Sequence, residues 1–200
     1  MTVTTTPRPN IGSSALVEII DGIEFVGFGS GGFGEDDLLI IGDEVDNILA
    51  GDLGHDKIEG GAGNDTITGG DGNDTLGGGT GNDDLDGQGG TDKLFGDAGD
   101  DILRAGDGHD ILQGGSGNDT FGFYALGHFE VKDFTIGEDR LFFDSEKTGI
   151  DNLDELLQVI TNVEQREDGV RVEFIDDAAS IDLIGINLND ITADMVIFNL

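Results

Sequence analysis

GGAGNDTITGGDGNDTLGGGTGNDDLD, residues 60–86, is one nine-residue unit written three times in succession, and a fourth faithful copy, GGSGNDTFG, occupies residues 114–122. All four obey the template glycine-glycine-any-glycine-any-aspartate-any-apolar-any. In the same register lie GDLGHDKIE from Gly51, GQGGTDKLF from Gly87, GDAGDDILR from Gly96 and AGDGHDILQ from Ala105, each short of one glycine but keeping the sixth-position aspartate. A weaker copy, GDEVDNILA from Gly42, has Val45 at the fourth position and Asn47 at the sixth. The array spans residues 42–122 and decays toward its N-terminal end.

A nine-residue period holds one tight turn and one very short strand, too little for a helical hairpin or a propeller blade. The eighth positions are Leu49, Ile58, Ile67, Leu76, Leu85, Leu94, Leu103, Leu112 and Phe121, a single apolar column. Each three-residue strand is expected to point its middle side chain inward. Two copies then close a coil, and coils stacked about 4.8 Å apart give a thin, all-β parallel β-roll of roughly four and a half coils, about 22 Å long. A flexible glycine-rich linker has no reason to keep an apolar residue at every ninth position.

Glycines at positions one, two and four permit left-handed or crowded backbone and leave carbonyl oxygens pointing out of the turn. The sixth-position carboxylates of Asp56, Asp65, Asp74, Asp83, Asp92, Asp101, Asp110 and Asp119 recur eighteen residues apart on each side of the coil, forming two columns of negative charge. Bare columns would repel. A hard divalent cation between successive loops answers both needs, and six or more oxygens in flexible geometry suit calcium better than magnesium. One inward side chain per nine ordered residues is also a thin core, so folding is expected to depend on the metal, which at about 100 times its dissociation constant adds about 2.7 kcal/mol per site.

The repeat resembles the nonapeptide of the RTX family, the haemolysin-type calcium-binding repeat of bacterial secreted proteins. The resemblance implies a right-handed β-solenoid in which each ion takes the sixth-position aspartates of two stacked loops and backbone carbonyls of the glycine-rich positions. Carried onto this chain, the pairs are Asp56 with Asp74, Asp65 with Asp83, Asp74 with Asp92, Asp83 with Asp101, Asp92 with Asp110, and Asp101 with Asp119, about six calcium ions. The carbonyl donors would come from Gly60, Gly61, Gly63, Gly69, Gly70, Gly72, Gly78, Gly79, Gly81, Gly96, Gly99, Gly114, Gly115 and Gly117. Asp52, Gln88, Asp97 and Ala105 depart from the template, and Asn47 puts the first copy in doubt as a ligand.

Acidic residues outnumber basic ones by 43 to 9, and the repeat block alone holds 19 against 3. Such a chain needs neutralising before it compacts, and nucleic acid is not an expected partner. There are no cysteines for disulfides or thiol chemistry. No apolar run approaches the ~18 residues of a membrane span, and the N-terminus lacks the pattern of a cleaved secretory signal.

Residues 1–41 read as a disordered lead-in and an N-terminal cap, with one or two strands between Leu16 and Phe28. Gly27, Gly29 and Gly32 spell GxGxxG, but the segment after them is too short for a dinucleotide fold. Residues 123–200 read as a mostly β C-terminal cap. Strands are expected at residues 129–134, 140–143, 170–175 and 181–184, with one helix of about a dozen residues N-capped by Asp151 and carrying Leu153, Leu156, Leu157, Ile160 and Val163 on one face. The segment VKDFTIGEDRLFFDS resembles the stretch C-terminal to the repeats in many RTX proteins, which makes Asp133 and Asp139 candidates for a further calcium. Asp194 followed by Met195, Val196, Ile197 and Phe198 is similar to the uncleaved C-terminal signal of type I secretion substrates.

The resemblance therefore implies a secreted, extracellular bacterial protein, exported by an ABC-type (type I) machinery while unfolded and folded outside by calcium. No HExxH, GxSxG or P-loop is present, so an enzyme is not expected, although the chain would equally serve as the tail of a larger secreted hydrolase or as an adhesive structural module. His55 and His109, at the outward fifth position about 14 Å apart, are too distant to share a transition metal and read as solvated. Position five also carries Asn64, Asn73, Asn82 and Asn118, but no threonine column accompanies them at position three, so ice binding is not expected. End-to-end self-association through an imperfect N-terminal cap is the remaining partner expectation.

Overall fold

The computed structural model describes residues 15–20, 23–28, 37–125, 127–174 and 179–198. The lead-in of residues 1–14, Gly29 and Gly32 of the GxGxxG match, and the last two residues lie outside these. The strands are β1 (Ala15–Ile20), β2 (Ile23–Phe28), β3 (Leu38–Ile41), β4 (Ile48–Leu53), β5 (Lys57–Ala62), β6 (Thr66–Gly72), β7 (Thr75–Thr80), β8 (Asp84–Gly90) and β9 (Lys93–Ala98). They continue with β10 (Ile102–Arg104), β11 (Asp107–Ser116), β12 (Thr120–Phe123), β13 (Gly127–Val131), β14 (Arg140–Phe143), β15 (Ile160–Gln165), β16 (Gly169–Phe174), β17 (Ala179–Ile184) and β18 (Val196–Ile197).

Strands two repeats apart pair in parallel, giving two ladders. One runs β4–β6–β8–β10–β12–β14–β18, the other β3–β5–β7–β9–β11–β13–β17. The molecule is a parallel β-solenoid of about six turns. The eighth-position side chains stack in register, Leu49, Ile67, Leu85, Leu103 and Phe121 in one column and Ile58, Leu76, Leu94 and Leu112 in the other, each at most 3% exposed. This double column, joined by Ala105, forms the apolar core of the repeat block.

Both ladders outrun the nine-residue pattern. Ile40 extends one column on the N-terminal side, while Val131 and Leu183 continue it beyond Leu112, and Leu141 and Val196 continue the other beyond Phe121. The paired residues Leu112 and Val131 are 19 apart and Phe121 and Leu141 are 20 apart, so the repeat count misses these coils although the ladder bonds continue. The roll therefore holds more turns than the four and a half expected. At the N-terminal end β3 pairs antiparallel with β2, and β2 with β1, the strands foreseen between Leu16 and Phe28. At the other end β17 pairs antiparallel with β16, and β16 with β15.

The C-terminal cap differs from expectation in its helix. Two short helices, α1 (Ser145–Thr148) and α2 (Leu153–Val159), replace the single longer one. The N-cap is Asn152, whose side chain accepts the Glu155 N–H at 3.1 Å, rather than Asp151. Ile160 and Val163 leave the helix for β15, because β16 offers a strand edge on which β-branched residues pair well. Leu156 is buried whereas Leu157 is 58% exposed. Phe143 packs between Phe174 and Phe198, with ring centres 6.0 and 6.3 Å away, tying the chain's end into the cap.

Candidate metal centre

Each sixth-position aspartate except Asp110, which lies within β11, immediately precedes its strand, and the eighteen-residue coil brings it beneath its counterpart. Asp56 N–H donates to Asp74 Oδ1, Asp65 to Asp83, Asp74 to Asp92 and Asp83 to Asp101, all at 2.8 Å. Asp92 donates to Asp110 at 2.9 Å and Asp101 to Asp119 at 3.0 Å. The six pairs implied by the resemblance are thus neighbouring pairs in the two columns. Asn47 N–H joins Asp65 at 2.8 Å, and the Asn47 side chain folds back on Asp43 of its own loop.

These hydrogen bonds use only one oxygen of each carboxylate. The Oδ2 atoms of Asp56, Asp65, Asp74, Asp83, Asp92, Asp101 and Asp110 are buried with no hydrogen-bond partner. Burial is the first cause, and it outweighs the amide bonds that favour the charged form. It pushes Asp92 and Asp101 up to about 7, and Asp56, Asp110 and Asp119 up to about 6. Asp65, Asp74 and Asp83 are raised for the same reason. Stacked, buried and half-satisfied carboxylates are costly unless a positive charge joins them.

The glycines show what space that charge would have. A Cβ on Gly51, Gly60, Gly69, Gly87 or Gly96 at position one would lie 2.1–2.6 Å from Oδ2 of its own loop's aspartate, and 2.6–2.9 Å from the position-one carbonyl oxygen two repeats on. On Gly78 and Gly114 it would meet Oδ2 of Asp83 and Asp119 at 2.3 and 2.2 Å. At position two, Gly61, Gly70, Gly79 and Gly115 have φ between +104° and +117° and face the position-two carbonyl oxygen of the loop eighteen residues earlier at 2.0–2.4 Å from a built Cβ. At position four, Gly72, Gly81, Gly99 and Gly117 face the corresponding earlier carbonyl at 1.5–1.9 Å, while Gly63 packs on Val45 and Asp46. Position-one carbonyl oxygens of one loop therefore lie beside the unpartnered Oδ2 atoms of the loop two repeats earlier. Among the described residues no three His, Cys, Asp or Glu side chains converge on a point. A donor set of carbonyls and single carboxylates is one for a hard cation, and the residues fit calcium.

The substituted positions differ in kind. Asp52, Gln88 and Asp97, all at position two, adopt φ of 69°, 68° and 71°, so the loop keeps its left-handed turn at the cost of strain. Ala105 at position one coincides with a break between β10 and β11.

The two cap candidates separate. Asp139 sits below Asp119 as a sixth-position residue, accepting its N–H at 2.9 Å, but its other oxygen is taken by Thr135 N–H at 2.7 Å. Asp133 accepts from Gly114 and Gly115 N–H with one oxygen each, both at 2.9 Å. Asp139 therefore closes the column of Asp119, while Asp133 holds the first two amides of the last repeat. Sequence reasoning missed a second ladder at position five. Asn64, Asn82, Asp100 and Asn118 each donate their N–H to the side chain eighteen residues earlier at 2.8–3.0 Å, as Asn73 does to His55 Nδ1 at 2.8 Å. The recurrent asparagines were its signal.

The family model of the RTX calcium-binding nonapeptide repeat matches in four overlapping copies, at residues 41–76, 50–85, 70–103 and 86–121. No curated protein matches the chain. Among solved structures, the R3 subunit of the Azotobacter vinelandii mannuronan C5-epimerase is similar at 24% identity and a TM-score of 0.44, covering 78% of this chain and 80% of that one. The R2 subunit of that epimerase is similar at 22% identity and 0.38, covering 79% and 91%. The extracellular lipase LipA of Serratia marcescens is similar at 18% identity and 0.35, with 82% of this chain matched to 38% of the lipase.

Proposed function

We propose that this RTX calcium-binding repeat protein is a secreted, non-enzymatic calcium-dependent folding module, exported unfolded by a type I machinery and folded by extracellular calcium. The observation that carries the reading is the row of seven buried carboxylate oxygens without a partner. At neutral pH these groups must be charged to bind a cation, yet burial raises their affinity for protons, so the metal-free roll is destabilised where the calcium-loaded one is not. About six ions would be held, one per stacked aspartate pair. Calcium, when bound, supplies positive charge and a demand for oxygen ligands that both loops meet. The chain's own contribution is to present Oδ2 and position-one carbonyls at fixed spacing and to keep Oδ1 on the backbone ladder.

The segment that resembles a type I secretion signal is packed into the cap. Met195 is 2% exposed, β18 pairs with β14, and Phe198 packs on Phe143. A C-terminal signal in these residues would be readable only while the chain is unfolded. Among the described residues no helix is long and apolar enough to cross a membrane.

The test is a calcium titration of chelator-treated protein monitored by far-UV circular dichroism, with magnesium as control. A cooperative coil-to-β transition at sub-millimolar to millimolar calcium, absent with magnesium, is expected. A fully folded metal-free chain at pH 7.5 would overturn the reading.

A further inference from the structure

We propose that His109 and His128 form a site for a first-row transition cation, zinc or copper(II), on the flank of the roll and chemically distinct from the calcium columns. The sequence places them 19 residues apart with no shared motif. The ladder between β11 and β13 sets them side by side, and β17 sets Ser180 next to His128.

The two imidazole rings lie with centres 4.7 Å apart and planes 54° apart. Two imidazoles bound to one tetrahedral cation, with metal–nitrogen bonds of about 2.0 Å, have ring centres about 5 Å apart. The observed spacing is therefore close to that of a chelating pair, and both side chains are exposed, so an ion can reach them. Ser180 Oγ, on a residue only 3% exposed, lies 2.8 Å from His128 Nδ1. That contact orients the ring and, with the proton on Nδ1, leaves Nε2 as the ligand atom, the usual arrangement behind a metal-bound histidine. His55, at the same repeat position, instead accepts the Asn73 N–H. Among the described residues the His109 ring has no hydrogen-bond partner, and its neighbour is His128.

Imidazole nitrogen suits zinc and copper and is a poor ligand for calcium, so the carbonyl–carboxylate loops and the histidine pair divide the cations by hardness. With no third His, Cys, Asp or Glu converging among the described residues, water fills the remaining positions. The net charge of −34 raises the local concentration of any divalent cation. Occupancy would tie β11, a strand of the repeat array, to β13 and through Ser180 to β17, fastening the cap to the roll.

The experiment uses the full chain saturated with calcium, titrated with zinc by isothermal calorimetry and with copper(II) by electron paramagnetic resonance. One equivalent of zinc should bind in calcium excess and raise the melting temperature, and copper should show two nitrogen ligands. H109Q and H128Q should each abolish both signals, with unchanged circular dichroism in calcium, and H55Q should leave them intact. S180A should weaken zinc about tenfold. Absence of binding to the wild type, binding that persists in H109Q and H128Q, or zinc displaced by added calcium would each overturn the proposal; the last would place the ion in the aspartate columns.

Discussion

Replacing Asp92 by asparagine should stabilise the metal-free roll and destabilise the calcium-loaded one. Asp92 is 0% exposed, its Oδ1 accepts the Asp74 N–H at 2.8 Å, and its Oδ2 has no partner. Burial pushes its carboxyl from the ordinary 3.8 to about 7. Holding the group ionised in the fold at pH 8 therefore costs about 4 kcal/mol relative to the unfolded chain. Asparagine removes that cost, keeps the Oδ1 acceptor, and places its NH2 near the Ala105 carbonyl, since Oδ2 of Asp92 and O of Ala105 lie 2.6 and 2.7 Å from the point where a Gly87 Cβ would stand. Metal-free D92N should gain up to about 4 kcal/mol. In calcium the same change removes a carboxylate shared by the Asp74 and Asp110 pairs. Two sites, each adding about 2.7 kcal/mol at 100 times the dissociation constant, take away about 5 kcal/mol of calcium binding, which against the gain of about 4 leaves a net loss of about 1 kcal/mol. The assay is urea unfolding by circular dichroism at pH 8, in saturating calcium and in chelator, the chelated samples with a stabilising osmolyte where needed to populate the fold. A change of the same sign in both conditions would refute the reasoning.

In chelator, stability should rise on acidification. The folded pKa values of Asp56, Asp110 and Asp119 (about 6) and of Asp92 and Asp101 (about 7) lie above the ordinary 3.8, so this stabilisation is complete below about 3.8 and is lost as pH rises through 6 to 7. Far-UV circular dichroism against pH checks this, and β structure that melts on acidification would contradict it. Gln88→Gly should stabilise the calcium form by about 1 kcal/mol in urea unfolding by relieving a φ of 68° on a residue poorly suited to it; a loss of stability would show that the side chain matters more than the turn. Gly81→Ala, whose Cβ would stand 1.8 Å from the Gly63 carbonyl oxygen, should cost about 3 kcal/mol or more. Gly137→Ala, with a φ of +87° but nothing within 4 Å, should cost only about 1–2 kcal/mol, and equal losses would deny the interloop packing.

The roll was legible because its period is written in residues that each have one task. The eighth-position apolar column, the sixth-position aspartates and the glycines where a Cβ would strike the next loop all recur at nine, and all occupy the places that recurrence implied. The illegible parts are those that abandon the period while keeping the ladder. Leu38 occupies a sixth position without a carboxylate, donating its N–H to Asp56 Oδ1, and so gave no sign of a further coil. Asp139 does carry one, but 20 residues after Asp119. The helix boundary failed at Ile160 because helical spacing of apolar residues says nothing about the edge of β16 waiting beside it. The adjacency of His109 and His128 needed the 19-residue register of β11 and β13, which no local pattern encodes.

The aspartate ladder is a one-way chain. The sixth-position amides of Asn47, Asp56, Asp65, Asp74, Asp83, Asp92, Asp101 and Asp119 each donate to the carboxylate of the coil on the C-terminal side, so on this ladder a coil is completed by its successor in the sequence. Asp139 ends one column as an acceptor already held from behind by Thr135. On this buried ladder a nucleus formed at the cap offers carboxylate acceptors already in place, so coils can zip onto it toward the N-terminus with each new sixth-position amide satisfied on arrival, while the exposed position-five ladder runs the other way. A nucleus at the N-terminal end would expose donors still waiting for partners. Vectorial growth of this kind gives the roll a preferred direction of assembly. Pulse-labelled hydrogen exchange should show Asp101 and Asp119 amides protected before those of Asn47 and Asp56.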